Sequence, residues 1–160
     1  MSTSAYHHGE LRPALLRAAA KILEKEGRDA ISFRDLARRA GVSHNAPYRH
    51  FADRQALLAA LAEEGFVLLA AALEGRPWRE QAMAYLRFAL ANPERFRLMF
   101  TRPVPVALRR LVEGDAAAQS IWAMVHGLTV LILAGHFTGA DPEALLGETL
   151  AAVRFAQRSA

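Results

Sequence analysis

Residues 32–51, SFRDLARRAGVSHNAPYRHF, decide how the rest of the chain is read. Ser32 is placed to cap a helix, and the Asp35 carboxylate three residues on can face the same first turn. Leu36 and Ala37 give that helix a buried side, leaving Arg34, Arg38 and Arg39 outward. Gly41 follows the last periodic residue and can adopt the left-handed conformation that ends a helix. Val42 is the apolar residue inside the turn, and Ser43 is expected to cap a second helix, which is basic and aromatic. Two short helices joined by a tight turn in this way describe a helix-turn-helix. The plainer reading of the same pattern is an αα-corner in an all-α enzyme.

Working outward, Leu11, Leu15, Ala18, Ala19, Ile22 and Leu23 recur at helical spacing, with Pro13 in the first turn and Gly27 closing the helix. With Phe33, Leu36 and Phe51 that stripe completes a three-helix unit. Asp53 caps a long helix running to about Glu74, whose stripe is Leu57, Leu58, Leu61, Gly65, Leu68, Leu69 and Ala72. Residues 78–91 form another amphipathic helix, with Trp78, Ala82, Tyr85, Leu86 and Ala89 on one side. Asn92 is expected to cap a short helix opened by Pro93. Pro103 and Pro105 force an extended link, Val106–Glu113 hold a turn or two, and a long apolar helix runs from Gly114-Asp115 to about His136. Asp141 caps the last helix, with Leu145, Leu146, Thr149, Leu150, Val153 and Ala156 inward. No strand pattern and no internal repeat stand out, so the expected fold class is all-α.

Composition narrows the function. The 160 residues contain no cysteine, which excludes a disulfide framework and a thiolate metal site. The N-terminus MSTSAYHHGELRP lacks an apolar core, so no signal peptide is expected. The most apolar run, Ile121 to Gly135, is shorter than the ~20 residues needed to cross a bilayer. No membrane partner is expected, and the cytoplasm is the expected location. Residues 1–60 carry ten Arg/Lys against six Asp/Glu, and residues 61–160 carry ten against ten. The whole net charge of +4 therefore lies on the part that holds the motif, as a nucleic-acid-binding half would require.

A reading helix presents short polar groups to base edges and surrounds them with phosphate donors. Ser43 at its start, His44 and Asn45 suit base edges, and Ala46 can meet a thymine methyl. Tyr48 and His50 offer a hydroxyl and a ring N–H to phosphates, joined by Ser32, Arg34 and Arg54 at helix N-termini. Double-stranded DNA is thus the expected partner. In the second half, Trp122 and His126 share a helix face and Gly127 permits close approach. They, with Phe88, Phe96, Met99 and Phe100, are candidate walls of a small-molecule effector site. The alternative is a packed helix with a satisfied histidine. The last two helices are more apolar than one monomer needs, which points to a two-fold four-helix interface and a homodimer.

The run VSHNAPYRHFADRQALLAAL at 42–61 resembles the tetracycline-repressor (TetR) family. HHGELRPALLRAA near the start and WAMVHGL at 122–128 are similar to members with a Trp…His-Gly signature in the regulatory domain. The resemblance implies a homodimer that binds a palindromic operator as a repressor and lets go when a small apolar molecule binds. It also implies phosphate roles for Tyr48 and His50. Pro47 departs from the aliphatic residue usual there: as the fourth helical residue its ring would crowd the Ser43 carbonyl. Either the first turn loosens, or the helix begins nearer Asn45. The family's regulatory half also has more helix than the short stretch 106–115 provides here.

The expected organisation is a DNA-binding domain at residues 1–53 and a regulatory and dimerisation domain at 54–160, with no cofactor, no metal and no catalytic residues. The six histidines show no HExxH or Ser/His/Asp pattern that would make an enzyme. The alternatives are a helical protein-interaction module, or a DNA-binding protein lacking an effector.

Overall fold

The computed structural model describes residues 11–101 and 116–152, and every regular element in them is helical. The expectations for the Pro103/Pro105 link, 106–115, Val153 and Ala156 lie outside the described residues. Seven α-helices follow in order: α1 Leu11–Glu26, α2 Phe33–Ala40, α3 Arg54–Leu73, α4 Trp78–Ala91, α5 Pro93–Met99, α6 Ala116–Leu133 and α7 Pro142–Ala152. Single 3-10 turns lie at Arg28–Ala30 and Pro47–Arg49.

Two compact units form. One holds α1 to Gly65 of α3 together with α5, and the other holds Phe66–Pro93 with α6 and α7. The first unit therefore extends along α3 past the 53/54 division expected from the motif, and it recruits α5. The reason is apolar: Leu57, Leu58 and Leu61 of α3, and Phe96, Leu98 and Met99 of α5, are buried, as are Leu15, Ile22, Leu23 and Leu36.

Asn92 does not cap α5. Its side-chain amide donates to the Phe88 carbonyl at 3.0 Å, closing α4. The amides of Glu94 and Arg95 donate instead to the Glu24 carboxylate of α1, at 3.1 and 2.8 Å. A carboxylate at a helix N-terminus satisfies orphan donors and opposes the helix dipole. Arg95 is 6% exposed and reaches Glu64 of α3 at 3.0 Å. Gly65 lets α5 come close, because a Cβ there would stand 2.7 Å from Met99 Sδ and 3.1 Å from Arg95 Cγ.

In the second unit α4 packs on α6 and α7. Arg87 makes a bidentate pair with Glu143 at 2.9 and 2.5 Å. Asp141 caps α7 through the Glu143 amide at 3.1 Å. Leu68, expected inside, is exposed, while Phe66 is buried. On α6 only Val125 and Thr129 are buried. Both α3 and α6 are long and apolar enough, by length and composition, to cross a membrane, so the apolar stretch is longer than the sequence suggests.

Candidate nucleic-acid interface and cleft

The first half of the motif forms as its residues dictate. Ser32 Oγ accepts the Asp35 amide at 3.2 Å, and Gly41 ends α2 at φ 66°. The capping hydroxyl keeps its own proton to donate. Asp35 receives Arg38 at 2.5 Å and Arg39 at 2.5 Å, and Arg39 also reaches Glu26 at 2.9 Å. The hydrogen bond from Arg38, helped by Arg39, holds the Asp35 carboxyl below its ordinary range. Two of the three arginines of α2 are thus engaged by acids. Arg34 is exposed and makes no bond with another described residue.

The second half departs from the expected helix. Residues 44–46 form a turn and Pro47–Arg49 a 3-10 turn. Pro47 has no N–H to give the Ser43 carbonyl, so that carbonyl takes the Ala46 amide instead, at 2.9 Å. Arg49 then bonds Ala46 at 3.2 Å, and Phe51 bonds Pro47 at 3.0 Å. Ser43 contributes its carbonyl here and starts no regular helix, which corrects its assignment as a cap. Pro47 and Phe51 face inward, and Arg12 lies 5.3 Å from the Phe51 ring centre.

This turn leaves the side chains expected to meet DNA accessible. Ser43, His44 and Asn45 are exposed, Ala46 and His50 half-buried, and Tyr48 53% exposed. The Tyr48 ring stands edge-on against buried Phe33, with centroids 4.7 Å apart. An aromatic wedge of this kind fixes the direction of the phenol. Arg49, not singled out from the sequence, is exposed beside Tyr48 without a bond to another described residue. Its place inside the reading stretch was the available signal.

Arg54 sits differently from its assignment as a phosphate donor. Its Nε donates to the Ile31 carbonyl at 3.1 Å, and its Nη2 donates to the Arg28 carbonyl and to Asp29. It thereby staples the 28–31 turn to the start of α3. The capping carboxylate of Asp53, which accepts the Ala56 amide at 2.7 Å, places it there.

In the second unit, Leu73, Trp78, Gln81, Ala82, Tyr85, Ala118, Ile121, Trp122 and Val125 line a cleft of about 200 Å³. Trp122 is the one of the six expected ligand residues on this wall. His126 stacks on Trp122 with ring centres 5.1 Å apart and planes 9° apart, and its Nδ1 lies 2.7 Å from the Tyr85 hydroxyl. Burial pushes the histidine down and the phenol up, so both are neutral and the histidine is satisfied within the fold. Phe96 and Met99 are core residues of the first unit, where Phe96 packs on Phe100 at 4.9 Å. Phe88 is buried in α4 without reaching the cleft. These four are corrected from ligand wall to packing. Tyr85 was missed as a polar group because nothing in linear spacing ties residue 85 to residue 126.

A helix-turn-helix with an exposed reading turn, followed by an all-helical unit, defines the class of the bacterial one-component regulators. Residues 15–61 match the family described as bacterial regulatory proteins, tetR family. Residues 78–119 match the family described as tetracyclin repressor-like, C-terminal domain. The two matches together cover more than half of the chain, which belongs to the TetR family. The C-terminal match falls between the runs at 42–61 and 122–128 that carry the resemblance in sequence, and Trp122…His126-Gly127 lies beyond it.

The HTH-type transcriptional repressor Rv1474c of Mycobacterium tuberculosis is 30% identical over 117 residues, 73% of this chain. The chain spans 59% of that protein's length. A structure of a protein with unknown function from Rhodococcus sp. RHA1 is 38% identical with a TM-score of 0.74, covering 92% of this chain and 95% of that one. A TetR variant from Acinetobacter baumannii AYE in complex with minocycline is 27% identical with a TM-score of 0.59, over 85% of this chain and 89% of that one.

Proposed function

We propose that this chain is a homodimeric DNA-binding transcriptional repressor whose operator affinity is lowered by a small apolar effector, acting in the cytoplasm and without catalytic function. The observation that carries the reading is the exposed 43–50 turn. It brings His44, Asn45, Tyr48, Arg49 and His50 to the surface of a unit stapled from behind by Arg54 and Phe33. Ser32 and Arg34 add donors at the N-terminus of α2. Residues 1–53 supply the DNA contacts, and residues 54–160 the regulation and dimerisation.

Dimerisation is supported by α6, an 18-residue apolar helix with two buried residues and with Val130 and Leu131 each 43% exposed. A second copy laid against α6 and α7 would remove that surface from water. Two reading turns would then enter successive major grooves roughly 34–36 Å apart. The cleft at Trp122 and Tyr85 offers an aromatic wall to an effector, and the minocycline-bound relative shows that a similar fold holds a small molecule. At about 200 Å³ it is below the ~300–1,000 Å³ of drug-sized sites, so the effector is small or the cleft widens on binding. Leu73 of α3 lines it, giving the effector a handle on the helix that begins in the reading unit.

Titration of the full chain against random duplex DNA at 50 and 200 mM salt tests the reading. A DNA-binding protein with several phosphate contacts loses affinity by orders of magnitude between the two. Salt-insensitive or absent binding would instead favour a protein-interaction module.

A further inference from the structure

His44 and Asn45 are coupled. His44 Nδ1 lies 3.3 Å from Asn45 Oδ1. A carboxamide oxygen has no proton to give, so the contact is a hydrogen bond only when Nδ1 carries the hydrogen and donates it. In the neutral ring that leaves Nε2, on the far edge, with a lone pair and no hydrogen. The Tyr48 ring lies near the imidazole, with ring centres 6.2 Å apart, and Tyr48 leans on buried Phe33. Phe33, Tyr48, His44 and Asn45 thus form one supported row ending in an exposed acceptor. Asn45 keeps its amide NH2, a pair of donors that the contact with His44 does not use.

Resting on the DNA-binding reading above, we propose that His44 is a specificity-determining residue that selects a base with an exocyclic amine, adenine or cytosine, and that Asn45 fixes the tautomer that makes it so. In the major groove only adenine N6 and cytosine N4 offer hydrogens to an acceptor. Guanine and thymine present acceptors there and would face the Nε2 lone pair unpaired. The Asn45 NH2 takes an acceptor on a neighbouring base.

The test is selection of bound sites from a randomised duplex pool by the full chain, repeated for five variants. The wild type selects adenine or cytosine at one position of each half-site, which His44→Ala relaxes by about tenfold in relative affinity for the best and worst bases. His44→Arg moves the preference there to guanine. Asn45→Ala, which frees the ring to take either tautomer, also relaxes it, whereas Asn45→Asp keeps the Nδ1 acceptor and keeps the preference. Tyr48→Phe retains the ring and so the preference, while binding weakens at all sequences. Selected sites that His44→Ala leaves unchanged, or a lost preference for guanine or thymine, would overturn the inference alone. Failure of the wild type to bind any duplex would overturn the DNA-binding reading, and this inference with it.

Discussion

Arg54→Ala separates a structural guanidinium from a phosphate-binding one. Arg54 donates to two backbone carbonyls, of Ile31 and Arg28, and to Asp29. Asp29 is almost fully exposed, so that pair contributes little. Charge-assisted bonds to carbonyls are each worth about 1.5–3 kcal/mol when dry. The Arg54 side chain is 34% exposed. Discounting both bonds by roughly half for solvent leaves a loss of about 2 kcal/mol. For a chain of this size that lowers the melting temperature by about 4–8 °C. The assays are thermal unfolding by circular dichroism and the salt dependence of duplex binding. If Arg54 acts inside the fold, stability falls while the slope of log affinity against log salt stays as in the wild type. Arg34→Ala and Arg49→Ala give the reverse, each lowering the slope by about 1 with stability within ~0.5 kcal/mol of wild type. A stable Arg54→Ala protein with a slope reduced by about 1 would refute the staple.

Other substitutions probe the packing and the second unit. Gly65→Ala gains up to about 1 kcal/mol of helix propensity but forces a methyl against Met99 and Arg95, both buried. With overpacking at about 1–3 kcal/mol, a net loss near 1 kcal/mol is expected in urea unfolding. Leu131→Lys puts a charge on the exposed apolar face of α6, and sedimentation at micromolar concentration should show monomer where the wild type is dimer. His126 is held neutral by burial, its folded pKa lying below 6.5. The unfolded state therefore binds the proton first, so its contribution is whole above pH 6.5 and fades as pH falls toward the folded pKa. His126→Gln should flatten that part of the stability profile, and an unaltered profile would contradict the burial.

Local signals were legible in sequence, and distant ones were not. Ser32, Gly41, Asp53 and Asp141 act within four residues of themselves, and each does what its chemistry and spacing indicate. The Pro47 ring was legible as a conflict with a regular second helix, and the structure resolves it by loosening the first turn into a 3-10 geometry. What was lost needed three dimensions. Asn92-Pro93 reads as a helix start, but the acceptor for that helix comes from residue 24. Phe96 and Met99 read as free aromatic and apolar wall, but both are buried in the first unit, where Gly65 opens a berth for Met99 beside α3. Arg54 reads as one more cation near a helix start, and only the return of the 28–31 turn shows its partners.

The Glu24 carboxylate on the amides of Glu94 and Arg95 has a consequence for biosynthesis. The helix-turn-helix unit is not finished when its own motif leaves the ribosome, since its closing piece is encoded some seventy residues downstream of Glu24. At roughly 5–20 residues per second, the nascent chain waits several seconds with the seat for Phe96 and Met99 uncovered. A gene fragment stopping after α3 would make that interval permanent and yield a sticky, poorly folded product.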